Sequence, residues 1–234
     1  MLRNFIRSRL VTPPAIWGKL QGHADFVRSG MRHGESEGWQ PWLARHAGIV
    51  ETLDAQSPVL PASFVLPPGT LPFAPRRFVL GAIVPSADRA GRRHALLVYQ
   101  QAQPSWVERY FDAQARQPCD WLFWLSRAVA RAVEGDLHPF ERSVHALWQA
   151  HESPLDDSAV QVRMRLQRDA QSREAGAADP AAGLVGVRHL PWADWPARLH
   201  RGDGSAPCAF WQQDAMGGFV NASHRLDDLW GAGP

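Results

Sequence analysis

Cysteine is nearly missing from this chain of 234 residues: Cys119 and Cys208 are the only two. Two thiols build neither a disulfide framework nor a cysteine zinc site, and with no secretory signal they point to a reducing compartment, taken here as the cytoplasm. Long apolar runs are missing too. The opening MLRNFIRSRL breaks its hydrophobes with Arg3, Arg7 and Arg9. It lacks the continuous apolar core of about 7–15 residues that a signal peptide needs, so residues 1–14 read as a terminal extension. No stretch reaches the ~18 apolar residues that span a bilayer. Nor is one sign of charge in excess. Lys and Arg total 25 against 23 Asp and Glu, a net charge of +2, too little for the concentrated basic stripe of a nucleic-acid surface. A phosphate loop is excluded as well. Gly18 and Lys19 stand together, but no glycine-rich run precedes them and no Ser or Thr follows, so Lys19 reads as a surface charge.

What the chain does have is an apolar fraction of 45%, punctuated by 19 Gly and 19 Pro, the composition of a soluble globular protein able to bury a core. Its central stretch is Phe78 to Gln101, FVLGAIVPSADRAGRRHALLVYQQ. Aliphatic runs of about 5–7 residues around a segment of Pro, Ser, Asp and Gly predict two buried strands at the centre of a sheet, joined by a loop longer than a tight turn. That loop gathers Ser86, Asp88, Arg89, Arg92 and Arg93 at the end of rigid elements, where function is often carried. The plainer reading is that Ser86 and Asp88 satisfy turn backbone and the arginines solvate a rim.

Periodicity supplies the remaining elements. Ser36, followed at helical spacing by Trp39, Trp42 and Leu43, predicts a capped helix running towards Thr52. Ser57 to Arg77 carries six prolines and predicts an extended, edge-like connection with one short strand over Ser63 to Leu66. Helices are expected over Pro104 to Ala115, with Ser105 as cap and Trp106, Val107, Tyr110 and Phe111 on one face, over Cys119 to Val133, and over Pro139 to His151. Asp157 to Arg173 combines a period of two with helical flanks and supports either assignment. Residues 171–183 read as a flexible link. Beyond it, Leu184 to His189, Ala206 to Gln212 and Gly217 to Val220 predict short strands, and Ser223 to Trp230 a capped helix. The expected architecture is α/β: a single central sheet with helices packed on both faces. The main domain covers 15–170, and the strands and helix of 184–234 extend the same sheet.

Two of these segments, taken in order, resemble a known family. GKLQGHADFV (Gly18 to Val27) and PSADRAGRR (Pro85 to Arg93) resemble the paired motifs of the TagF family, also called ImpM, of type VI secretion accessory proteins. The matching positions are Gly18, Lys19, Leu20, Asp25, Phe26 and Val27, then Pro85, Ser86, Asp88, Arg89, Gly91 and Arg92. The likeness spans residues 15 to 150, with a Trp-rich helix between the motifs. The family often carries paired tryptophans in its late strand, where this chain has Trp211 followed by Gln212. The resemblance implies a bacterial, cytoplasmic negative regulator. Such a protein holds type VI assembly in check after translation, in association with a forkhead-associated-domain scaffold protein, and no established catalytic residues come with the family.

Catalytic arrangements find less support. His33-Gly34-Glu35 and Pro118-Cys119 match fragments of a zinc deaminase signature, but Leu122 stands where the second cysteine belongs. His145 and His151 are off the i, i+4 spacing of a helical metal pair. Ser86 with His94 as base and Asp25 as orienter would make a hydrolase or acyl transferase, although no nucleophile elbow surrounds Ser86. A small-molecule sensor would need an enclosed pocket of about 300 Å³ or more near the loop. The expectation is a non-enzymatic chain with no metal or cofactor. In it Asp25, Ser86, Asp88, Arg89 and Arg92 form a binding patch where the two motifs meet, Arg92 pairing with Asp25 or Asp88, and Gly18, Lys19, Leu20, Phe26, Val27, Pro85 and Gly91 shape its frame.

Overall fold

Along the strand Arg93–Ala102, successive side chains turn to opposite faces, and both faces are apolar. Leu96 and Val98 enter one core cluster, while Ala95, Leu97 and Tyr99 enter another. A strand buried on both sides needs a layer above it and one below. The computed structural model supplies both, and it describes residues 10–51, 60–108, 121–133, 135–152, 206–214 and 219–231. Its strands are β1 (Ala15–Gly18), β2 (Val27–Ser29), β3 (Ala62–Leu66), β4 (Phe78–Ala87), β5 (Arg93–Ala102), β6 (Ala209–Gln213) and β7 (Phe219–Ser223). They form one seven-stranded sheet in the order β2-β1-β5-β4-β3-β6-β7. Every adjacent pair is antiparallel.

The helices cover both faces. On one lie α1 (Glu35–His46) and, near the end of the chain, α4 (Leu226–Gly231); their Trp39, Trp42, Leu43, Leu226 and Trp230 share a core with Trp17, Phe64 and Tyr99. On the other lie α2 (Trp121–Ala132) and α3 (Leu137–Glu152), whose Leu122, Leu125, Val129, Val144 and Leu147 pack with Ile16, Leu80, Val84 and Val98. The C-terminal strands do extend the sheet, β6 pairing with β3 through Ser63↔Trp211 and Phe64↔Phe210. Among the described residues no helix is long and apolar enough to cross a membrane.

Several boundaries differ from the sequence expectation. The central pair β4 and β5 stays in register from Phe78↔Ala102 to Ala87↔Arg93, so Pro85 and Ser86 belong to β4, and the loop shrinks to Asp88–Arg92. Pro85 is tolerated because β3 ends its pairing with β4 at Ala62↔Ile83, leaving Pro85 a strand neighbour on one side only. The strand in the proline-rich segment is not edge-like. β3 lies between β4 and β6 and is buried throughout, because its prolines flank Ala62–Leu66 without entering it. Ser36 does not cap α1. Gly34, with φ of 84°, holds that place and Ser36 is buried as the second residue of the helix; the helix stops at His46 and a short 3-10 turn, Gly48–Glu51, follows. The first helix after β5 is described only over residues 104–108. Tyr110, Phe111, Cys119, Asp157 to Arg173, the link 171–183 and Leu184 to His189 lie outside the described residues.

Candidate functional site

Gly18 ends β1 with φ of 136°, a region that L side chains rarely adopt. A Cβ there would fall 2.2 Å from the Ala95 carbonyl oxygen, so only glycine lets β1 come this close to β5. The close approach delivers the next residue, Lys19, beneath the β4–β5 loop. Lys19 is the chain's single lysine. It is no surface charge: it is 7% exposed, and its Nζ donates to Asp88 Oδ2 at 2.9 Å.

Asp88 has a side chain fully removed from solvent, and all its acceptor capacity is used within the chain. Oδ1 accepts the Ala90 and Arg92 amides at 3.0 and 2.9 Å; Oδ2 accepts Lys19 Nζ and, at 2.7 Å, Arg92 Nε. Backbone bonds from Asp88 N to Arg92 O and from Gly91 N to Asp88 O close the turn, with Gly91 at φ of 79°. The carboxylate is thus the nucleus around which the loop is wound. Burial pushes its pKa up, but the Lys19 ammonium, the Arg92 amide and the Arg92 guanidinium outweigh that and hold it well below its ordinary 3.8.

Three further bonds tie the second motif to the first. Ser86 Oγ donates to the Lys19 carbonyl at 2.7 Å, Arg92 Nη2 to the Ala24 carbonyl at 2.6 Å, and the Arg89 amide to the His23 carbonyl at 2.8 Å. His23 in turn accepts the Leu137 amide on Nε2, linking the junction to the start of α3. Leu20 is fully buried, Val27 pairs with Gly18, and Phe26 stacks on Trp17 with Lys19 Nζ 5.2 Å from its ring centroid. The structure therefore brings together Ser86, Asp88 and Arg92, and adds Lys19. Asp25 stands apart from this network: it is exposed, its carboxylate accepts the Phe26 amide, and Arg92 meets the carbonyl of Ala24 instead. Arg89 joins through its backbone and turns an exposed side chain outward.

The residues considered for catalysis are engaged elsewhere. Ser86 is 7% exposed, with its hydroxyl committed to Lys19. His94 Nδ1 donates to the Ala95 carbonyl, and its ring packs edge-on against Trp17 and Phe26. Among the described residues no three His, Cys, Asp or Glu side chains gather as a metal site.

A second buried carboxylate entered the sequence reading only as part of the deaminase fragment His33-Gly34-Glu35. Glu35, at the start of α1, is 4% exposed and accepts Tyr99 Oη and Gln101 Nε2, each at 2.6 Å, together with the Arg32 amide at 3.1 Å. The available signal was the period of two that puts Tyr99 and Gln101 on one face of β5. Burial and the Glu35 carboxylate drive the Tyr99 phenol far above its ordinary 10.0. A raised pKa means that this contribution to stability is intact below about pH 10 and is lost as the pH climbs towards the folded value. In a Tyr110→Phe variant, absorbance titration should show Tyr99 ionising only together with alkaline unfolding; ionisation near pH 10 in the folded chain would show that the Glu35 contact is not maintained.

A family model described as TagF N-terminal domain, type VI secretion system-associated, matches residues 15–147, a span that holds both motifs. Among solved structures, the crystal structure of PA0076 from Pseudomonas aeruginosa PAO1 is similar in fold, with a TM-score of 0.53 at 17% sequence identity over 94% of this chain and 96% of that one. No curated protein matches.

Proposed function

Because this chain belongs to the TagF family of type VI secretion system-associated proteins, we propose that it is a non-enzymatic cytoplasmic regulator that restrains assembly of the secretion apparatus after translation by binding a forkhead-associated-domain scaffold protein. The observation that carries this reading is the direction of the polar groups at the junction. Asp88 and Lys19 face inward and satisfy each other, while the arginines that the loop positions face water: Arg89 is exposed, and the Arg92 side chain is 61% exposed. A fixed loop that spends its carboxylate on its own backbone, anchors one edge of the Arg92 guanidinium on Asp88 and Ala24 and turns the Arg89 side chain to solvent suits recognition, since arginine on a rigid frame loses little freedom on binding. A hydrolase would need the Ser86 hydroxyl accessible and beside a base.

Arg89→Glu tests this reading, because the side chain takes part in no ion pair among the described residues. We expect unchanged thermal unfolding and a fall of about tenfold or more in affinity for the purified scaffold. In cells, the variant should fail to restore the restraint on secretion that is lost on deleting the gene. Undiminished affinity would take the loop out of the interface, and no capture of the scaffold by the wild-type chain would sink the binding reading itself.

A further inference from the structure

The sheet ends at β2, whose one strand neighbour is β1, and between β2 and the start of α1 lies a solvent-open groove of about 370 Å³. Successive side chains of a strand point to opposite faces. Ser29 turns towards α3, where its Oγ donates to Glu141 Oε1, so Arg28 turns to the face that carries α1. Arg32 and His33 follow in the turn that leads into the helix. These three exposed basic side chains belong to the lining of the groove itself. Its one acid is Glu37. That carboxylate accepts the Ser36 hydroxyl at 3.1 Å, and its own amide and this hydroxyl hold its pKa below the ordinary value. Glu37 thus answers the first turn of α1, and the groups left for a ligand are side-chain cations. Glu35 is buried, with its oxygens taken by Tyr99, Gln101 and the Arg32 amide. Among the described residues no ion pair engages Arg28 or Arg32. A further guanidinium adjoins them: burial first, and then the Arg32 charge, lowers the pKa of Arg77, the mark of like charges held close together.

We propose that this groove docks an acidic segment of the protein partner, with carboxylates of that segment pairing with Arg28 and Arg32. Charge complementarity selects the occupant: two guanidinium groups without ion-pair partners, and an imidazole beside them, attract carboxylates and repel a basic segment. Their placement suits a row of acids, because Arg28 stands on the edge strand while Arg32 and His33 stand at the foot of α1. The inference rests on the protein-binding reading and adds a second contact to the one made by the Arg89 loop.

Three synthetic peptides of equal length test it against the full chain: one rich in Asp and Glu, one with those acids replaced by Asn and Gln, and one with Lys in their place. In anisotropy titrations the first should bind at least about tenfold more tightly than the other two. Arg28→Glu and Arg32→Glu should each weaken the acidic peptide by a similar factor with thermal unfolding unchanged, since both side chains are exposed. Arg45→Glu makes the same charge reversal at an exposed position in the last turn of α1 and should alter the affinity by less than about twofold. Equal binding of the acidic and amide peptides, or an Arg45→Glu effect as large as that of Arg32→Glu, would overturn the proposal. Scaffold capture separates the two levels. If the wild-type chain and Arg32→Glu capture the scaffold equally, the groove is not the site and the binding reading stands; if the wild-type chain captures none, both fall.

Discussion

Gly18→Ala is expected to leave little folded protein. The substitution asks alanine to adopt φ of 136° and puts its Cβ 2.2 Å from the Ala95 oxygen and 2.7 Å from the Leu96 Cα. Both obstacles are backbone, so no side chain can swing aside. Moving β1 away does not help either, because it is laddered on both edges: Trp17 pairs with Leu97 of β5 and with Arg28 of β2. A strained backbone and a main-chain overlap together should cost more than about 4 kcal/mol, a large share of the roughly 5–15 kcal/mol that holds a domain folded. Gly69→Ala provides the contrast. Its φ is 83° with nothing within 4 Å of the added Cβ, so it should cost only the ~1–2 kcal/mol of a left-handed residue. Urea unfolding followed by tryptophan fluorescence distinguishes the two; a Gly18→Ala midpoint near that of the wild type would mean that β1 is not pinned against β5 as described.

That glycine also shows what a linear reading captures. The Gly-Lys-Leu segment was visible as part of a family pattern, but the reason for its glycine is the nearness of Ala95, a residue far along the chain. The centre of the sheet was legible because strands buried on both faces are continuously apolar, and Phe78–Val84 and Ala95–Tyr99 are such runs. Their ends were not legible. Pro85, Ser86, Arg93 and His94 are held in the ladder by register with one another, which hydrophobicity does not report. β3 looked like an edge because prolines surround it, whereas its second neighbour, β6, arrives from the far end of the chain.

The site divides in the same way. The motifs put Asp88 and Arg92 near the first segment, and the carboxylate does organise the loop. Which cation sits under it was hidden, since a lone lysine on a turn reads as solvated and nothing local signals a buried partner. Asp25 carried the more suggestive charge, yet a carboxylate directly preceding a free amide satisfies that amide first. Glu35 was obscured for the opposite reason: its partners Tyr99 and Gln101 look like ordinary strand residues until α1 is folded over them.

Asp88→Asn is expected to release Lys19 from beneath the loop. Asparagine keeps an oxygen for the Ala90 and Arg92 amides, but its Nδ2 would confront the Lys19 ammonium and the Arg92 Nε, donor against donor. A buried cation stripped of its counter-charge moves to water. Since Lys19 is the chain's single lysine, an amine-acylating reagent reads that one side chain in peptide mass spectra. We expect slow modification in the wild type and acylation at least about tenfold faster in Asp88→Asn. Lys19→Ala should be milder than Asp88→Asn, because the carboxylate then keeps Arg92 and two backbone amides. The pH dependence has a definite sign. The folded carboxyl has a pKa below its ordinary 3.8, so the folded chain binds this proton less readily than the unfolded chain does. The stability it contributes is complete above that ordinary value and is lost as pH falls through the folded one. The stability gap between wild type and Asp88→Asn should therefore hold constant from neutral pH down to about pH 5 and close only in stronger acid. A gap that ignored acid, or equal acylation rates, would mean that the backbone turn alone holds the loop and that the charge beneath it is idle.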